Sequence, residues 1–331
     1  MARRIRPAEP VSMVQALNEA LRAALDDDPK VLLMGEDIGA LGGVFRVTEG
    51  LAKDFGEARV VDTPLGEAGI IGAAVGLALR GYRPVCEIQF DGFVFPAVDQ
   101  LVTQVAKLRN RSLGRLSMPI TVRIPFGGGI GAIEHHSESP EAYFAHTPGL
   151  QVVAPSTPAD AYAMLRQAIA SDDPVIFLEP KRRYWDKGEV DWAAPGRPLH
   201  CASVVAPGSD LTLVGYGPTV RTCLDAASAA AQEGRSIEVI DLRSISPMDT
   251  DTVVASVRRT GRLVVVSEAH ASFGPASELA ARVQELAFYS LEAPVLRVTG
   301  FDTPYPPSRI EEDWLPNLDR VLDAIDRSLA H

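Results

Sequence analysis

The chain alternates short runs of aliphatic and β-branched residues with longer amphipathic stretches, and it does so in both halves. That rhythm restricts the fold more than any other feature. "KVLLMG", "RPVCEIQF", "PITVRIPF", "LQVVAPS" and "PVIFLEP" read as buried strands in the first half, and "LTLVGYG", "SIEVIDL", "RLVVVSE" and "PVLRVTG" in the second. Between them lie helical patterns such as "PAVDQLVTQVAKLRNR", "PADAYAMLRQAIAS", "TVRTCLDAASAAAQEG" and "GPASELAARVQELAF". Strands separated by helices imply a mostly parallel sheet with helices on both faces.

A length of 331 residues exceeds what one hydrophobic core organises, so two such α/β domains are expected. From Lys181 to Leu199 periodicity gives way to proline, glycine and charge, which marks the connection. The reading is a first domain over 1–185, a linker over 186–201 and a second domain over 202–331. Ser12 and Gln15 stand in capping-box spacing before a first helix carrying Leu17, Leu21 and Leu25. A later helix, "EAGIIGAAVGLALRG", is apolar nearly all round and rich in glycine and alanine, with Gly81 placed to end it. A helix of that kind is expected to be buried inside an assembly.

The formal charge of −11 opposes a nucleic-acid groove or an anionic membrane surface as partner. Cys86, Cys201 and Cys223 are far apart and show no metal-ligand spacing, which suits a reducing compartment. "MARRIRPAEP" is basic with no apolar stretch behind it, and no window reaches the roughly 18 to 20 apolar residues of a membrane span. A cytoplasmic protein of bacterial type, without a targeting segment, is expected.

Two stretches could carry chemistry. In "DTPLGEAGI" the carboxylate of Glu67 lies between Gly66 and Gly69; from spacing alone it serves equally as an ordinary helix-start acid. The loop from Phe126 to Tyr143, "FGGGIGAIEHHSESPEAY", combines glycines, adjacent histidines and acids. Gly127, Gly129 and Ala132 fit a dinucleotide fingerprint in letter only, because no apolar helix follows and no acid stands some 20 residues on. His135 and His136 face opposite sides of an extended loop, so one can act and the other support. A zinc site from His135, His136 and His146 is disfavoured by their spacing, and no nucleophile elbow or Walker loop is present.

Six ordered stretches, "GEDIGALGGVFRVTEGL", "DTPLGEAGIIGAAVGLALRG", "EIQFDGFVFPAVDQ", "EHHSESPEAYFAHTPGLQVVAPSTPADA", "PVIFLEPKRRYW" and "VTGFDTPYP", resemble the beta subunit of the thiamine-dependent, decarboxylating component of 2-oxo acid dehydrogenase complexes. "HHSESPEAYFAH" and "EPK" are more similar to the branched-chain than to the pyruvate type. The resemblance implies a thiamine pyrimidine-binding first domain and a transketolase C-terminal-like second domain used largely for assembly. It gives Glu67 the role of bonding the aminopyrimidine of thiamine diphosphate, with Leu65, Gln89 and Phe93 lining the ring's pocket. Phe93 departs from a tyrosine found in many relatives. The resemblance makes His136 the histidine that assists acyl transfer to a lipoyl group, with His135 and His146 shaping the loop.

The family's magnesium and diphosphate motif begins GDG, and this chain has none. The resemblance therefore implies an alpha subunit that brings magnesium and the diphosphate contacts, in a heterotetramer of two alpha and two beta chains. It further implies a lipoyl-bearing dihydrolipoyl acyltransferase as partner, a 2-oxo acid as substrate, and potassium near Ala168, Ser171 and Asp173. The alternatives are a pyruvate-type beta subunit and, in another class, a non-catalytic assembly subunit.

Overall fold

The computed structural model describes residues 10–331; the basic amino-terminal stretch read above lies outside them. The first half comprises β1 (Val11–Ser12), α1 (Met13–Asp27), β2 (Val31–Gly35), α2 (Leu51–Phe55), β3 (Val60–Asp62), α3 (Glu67–Leu79), β4 (Arg83–Glu87), α4 (Leu108–Arg111), β5 (Thr121–Phe126), α5 (Glu141–Ala145), β6 (Gln151–Val153), α6 (Pro158–Ala170), β7 (Val175–Pro180) and β8 (Lys187–Gly188). The second adds β9 (Ser203–Ala206), β10 (Leu211–Gly215), α7 (Thr219–Gln232), β11 (Ile237–Asp241), β12 (Ser244–Ser246), α8 (Thr250–Thr260), β13 (Leu263–His270), α9 (Pro275–Ala287), β14 (Leu296–Gly300), α10 (Glu311–Trp314) and α11 (Leu318–Leu329).

The main sheets run β12-β6-β7-β5-β4-β2-β3 and β14-β13-β10-β11-β9, parallel except for the edge strands β12 and β9. The expected α/β architecture is therefore present in both halves. On one face of the first sheet α1 packs against α6 through Leu17, Leu21, Met164 and Leu165. Ile70, Ile71 and Ala74 of α3 belong to the core on the other side, which continues through Phe126 and Ala154 into Leu242, Ile245 and Val254 of the second half. The halves are also joined by backbone pairing, since β12 adds antiparallel to β6 and closes the first sheet's edge.

The capping box at α1 is present in both directions. Ser12 Oγ accepts from the Gln15 amide at 3.2 Å, and Gln15 Oε1 accepts from the Ser12 amide at 2.9 Å. The helix expected over "PAVDQLVTQVAKLRNR" is instead three segments: a 3-10 stretch Asp91–Ala97, a π-helical stretch Gln100–Val105, and α4. Pro96 lacks an amide proton, and the Ala106 amide reaches back to the Leu101 carbonyl at 2.9 Å. Gly149 packs so tightly on the Ala106 carbonyl that a Cβ there would overlap it, which fixes the widened turn in place.

The first sheet also buries charge. Arg123 on β5 bonds Glu87 on β4 at 2.6 Å and Glu179 on β7 at 2.6 and 3.0 Å, and Tyr184 donates to Glu179 at 2.7 Å. Burial works against the guanidinium's charge, but the two carboxylates outweigh it and raise its pKa. Each partner thus neutralises the others in the interior.

Candidate functional site

The site begins where β2 ends. Chain leaving Gly35 places Glu36 under the start of α3, where it is 4% exposed. Its Oε1 accepts from the amide of Gly66, the N-cap residue, at 3.1 Å, which satisfies one donor at the helix start. Its Oε2 is buried with no partner. Burial raises the Glu36 pKa, and the charges of Glu67 and Asp37 add to the effect. Glu67 itself opens α3 and is half-buried.

Around Glu67 the surface is open. Leu65 is 85% exposed, and a Cβ built on Gly66 or Gly69 would meet nothing. Along α3 the exposed side continues through Ala68, Gly69, Ala73, Gly76 and Leu79. The helix expected to be buried inside an assembly thus presents one face of mostly small residues outward within this chain. Ile70, Ile71, Ala74 and Ala78 are buried in the core, and Val75 and Leu77 pack against it.

Gln89, just beyond β4, turns toward the same corner: its Nε2 donates to Asp37 Oδ2 at 2.9 Å and to the Glu36 carbonyl at 3.4 Å. Phe93 lies in the 3-10 stretch that packs on α3. Its ring stands 5.1 Å from that of His136, and Phe90 stands 4.1 Å from it. His136 Nδ1 is buried without a hydrogen-bond partner. Burial lowers the His136 pKa, with His135 and Lys181 acting the same way, so the imidazole is held neutral near pH 7.

His135 packs its ring 4.4 Å from that of His136 and approaches Glu134 at 3.8 Å. His146 follows α5 at the surface, its amide bonded to the Ala142 carbonyl at 3.0 Å. The helix end at Ala168, Ser171 and Asp173 is a compact turn. Ser171 donates its amide to Ala168 and its hydroxyl to the Asp173 carbonyl, at 3.1 and 2.9 Å. Arg83 donates to the carbonyls of Ile169, Ala170 and Ser171, and Arg109 pairs with Asp173 at 2.6 Å.

Two residues of the site were quoted in the sequence motifs without a role. Asp91 and Lys181 form an ion pair with both side chains fully buried beneath Phe90. Burial pushes the Asp91 carboxyl up to about 6 and the Lys181 amine down. Asp91 Oδ2 also accepts the Glu138 amide at 2.6 Å, so the pair ties the histidine loop to the sheet. An aspartate after "QF" and a lysine after "EP" are each at a parallel strand's carboxyl end, which was the available signal.

Residues 9–186 match the family model for the transketolase pyrimidine-binding domain, and residues 201–321 that for the transketolase C-terminal domain. The chain is 62% identical to a pyruvate dehydrogenase E1 component subunit beta of Leifsonia xyli subsp. xyli, over 96% of this chain and 95% of that protein. It is 58% identical to a 3-methyl-2-oxobutanoate dehydrogenase subunit beta of Mycobacterium tuberculosis, over 96% and 92%. Among solved structures, a split-gene transketolase in an inactive beta4 tetramer shares the fold at a TM-score of 0.79 with 22% identity, over 97% of this chain and 99% of that one. No described helix is long and apolar enough to cross a membrane. With two domain matches spanning most of its length and relatives at this identity, the chain belongs to the family of 2-oxo acid dehydrogenase E1 beta subunits.

Proposed function

We propose that this chain is the beta subunit of a branched-chain 2-oxo acid dehydrogenase, catalysing thiamine diphosphate-dependent decarboxylation and acyl transfer to a lipoyl group once paired with an alpha subunit. The observation that carries the reading is an unpartnered His136 Nδ1 walled by Phe90 and Phe93, with Phe93's 3-10 stretch packed on α3, whose first residue Glu67 neighbours the Glu36 that Gln89 also bonds.

These residues fit the aminopyrimidine half of the cofactor. The space over Gly66 and Gly69 admits a flat ring, Leu65 and Phe93 offer it apolar contact, and Gln89 and Glu67 offer polar ends. When bound, thiamine diphosphate supplies a nucleophilic carbon and an electron sink. Glu67 would hold the ring nitrogen of the cofactor, and His136, within an aromatic wall, would move a proton at the acyl-transfer stage.

The sequence has no GDG stretch, so magnesium and the diphosphate fall to the alpha subunit in a two-alpha, two-beta assembly. The exposed face of α3 is the surface offered to such a partner. The lipoyl acceptor belongs to the acyltransferase partner; potassium at the Ala168, Ser171 and Asp173 turn would have to share the Ser171 carbonyl with Arg83 and the Asp173 carboxylate with Arg109. The choice of a branched aliphatic substrate over pyruvate rests on the "HHSESPEAYFAH" and "EPK" stretches.

The test is turnover of 3-methyl-2-oxobutanoate and of pyruvate by the chain reconstituted with its alpha partner. Glu67→Ala is expected to lower turnover by roughly a hundredfold or more, the range for removing a positioned proton-transfer group. Unchanged turnover in that variant would leave only the assembly role. A preference for pyruvate would move the chain to the class of its Leifsonia relative.

A further inference from the structure

We propose that Glu311 and Tyr305, in the second domain, are positioning residues for His136, acting through the glycine run that leads to it; this rests on the role given to His136 above. The second domain then does more than assemble subunits, because part of the reactive loop's geometry is written in it.

The run leaves β5 with Gly127, Gly129 and Gly131 all in the left-handed region, at φ +81°, +85° and +71°. A backbone of this shape turns its amides outward instead of into a ladder. Carboxylates from the second domain receive them. Glu268 Oε2 accepts the Gly128 amide at 3.0 Å, Glu311 Oε1 accepts that of Gly129 at 2.9 Å, and Glu311 Oε2 accepts that of Gly131 at 3.1 Å. Tyr305 donates its hydroxyl to Glu311 Oε1 at 2.6 Å and accepts from the Gly129 amide at 3.3 Å.

Glu311 is 5% exposed and Tyr305 6%, so the acceptor side of these bonds is buried while Gly131 itself lies at the surface. Tyr305 and Trp314 meet edge to face at 4.8 Å beside Leu315 in a small core of their own, which holds the acceptors in place. At Gly128 the Tyr305 ring comes so close that no Cβ fits.

Farther along, the loop's neck is closed within the first domain. The Gly127 amide bonds the Glu138 carbonyl at 2.8 Å, and Asp91 accepts the Glu138 amide. His136 sits between the two attachments, one from each domain. Loss of the Glu311 attachment frees two glycines, Gly129 and Gly131, which have few rotational restraints, and His136 moves with them.

The variants Glu311→Gln and Tyr305→Phe keep shape while removing the charge or the hydroxyl. Hydrogen exchange of the full chain is expected to show faster exchange at Gly129 and Gly131 in both. In the complex reconstituted with the alpha partner, acylation of a lipoyl domain is expected to slow tenfold to a hundredfold, the scale of a small misplacement at a reacting centre. Decarboxylation driven by an artificial electron acceptor, and KM for the 2-oxo acid, are expected to change less than threefold. His136→Ala is measured alongside. If His136→Ala slows acylation while Glu311→Gln and Tyr305→Phe leave both exchange and acylation at wild-type values, the positioning role is overturned and the reading of His136 stands. If His136→Ala leaves acylation intact, that reading fails, and with it the positioning role.

Discussion

Glu141 on α5 makes a stability effect that can be worked out from its surroundings. Its side chain is fully buried at the contact between the domains, where Oε1 accepts the Tyr216 hydroxyl at 2.6 Å and Oε2 has no partner. Burial drives its pKa from an ordinary 4.5 to about 7; the Tyr216 bond opposes this, and the nearby charges of Glu268 and Asp91 add to it. The folded pKa is raised above the unfolded one, so between pH 4.5 and 7 the folded chain keeps a proton that the unfolded chain has released. Stability from this group therefore falls as pH rises through that window and is constant above it. From 4.5 to about 7, at about 1.36 kcal/mol per pH unit, the loss totals about 3 kcal/mol, of which about 2 kcal/mol falls above pH 5.5. Glu141→Gln keeps an acceptor for Tyr216 and removes the titration. Urea unfolding of both chains at pH 5.5 and pH 8 measures it: the variant is expected to gain about 2 kcal/mol on wild type between the two, or roughly 0.7 M in midpoint. An equal difference at both pH values would refute the reasoning.

Other expected outcomes follow from neighbouring geometry. Lys181→Met leaves the Asp91 carboxylate buried without its partner and is expected to cost about 3–5 kcal/mol in urea unfolding; adding Asp91→Asn should recover part of the loss. Ser12→Ala removes one arm of the α1 capping box and is expected to cost about 1 kcal/mol by the same measurement. Because burial lowers the His136 pKa, lipoyl acylation should lose rate only as pH falls below about 6.5, the unperturbed histidine value. That limb should be absent in the residual activity of His136→Gln.

Local signals in the sequence were legible where they were strong. Ser12 with Gln15 announced α1, alternating apolar runs announced the parallel strands, and Glu67 opens its helix as read. What escaped was set by partners distant in the chain. Ser244–Ser246 is too short and polar to read as a strand, and only β6, some 90 residues earlier, makes it one. The charges Glu87, Arg123 and Glu179 interrupt three apolar runs, and their meaning emerges only when β4, β5 and β7 lie side by side. At the candidate site the same holds: Glu67 and His136 were visible as residues, whereas Glu36 beneath the helix and the Asp91–Lys181 pair required the folded chain.

Because β12 is donated across the boundary to β6, the connection between the halves is not a place where the protein can be cut into two independent pieces. A fragment ending at the linker would bare the β6 edge, inviting pairing with any extended peptide, and a chimera must inherit residues 244–246 together with the sheet they complete.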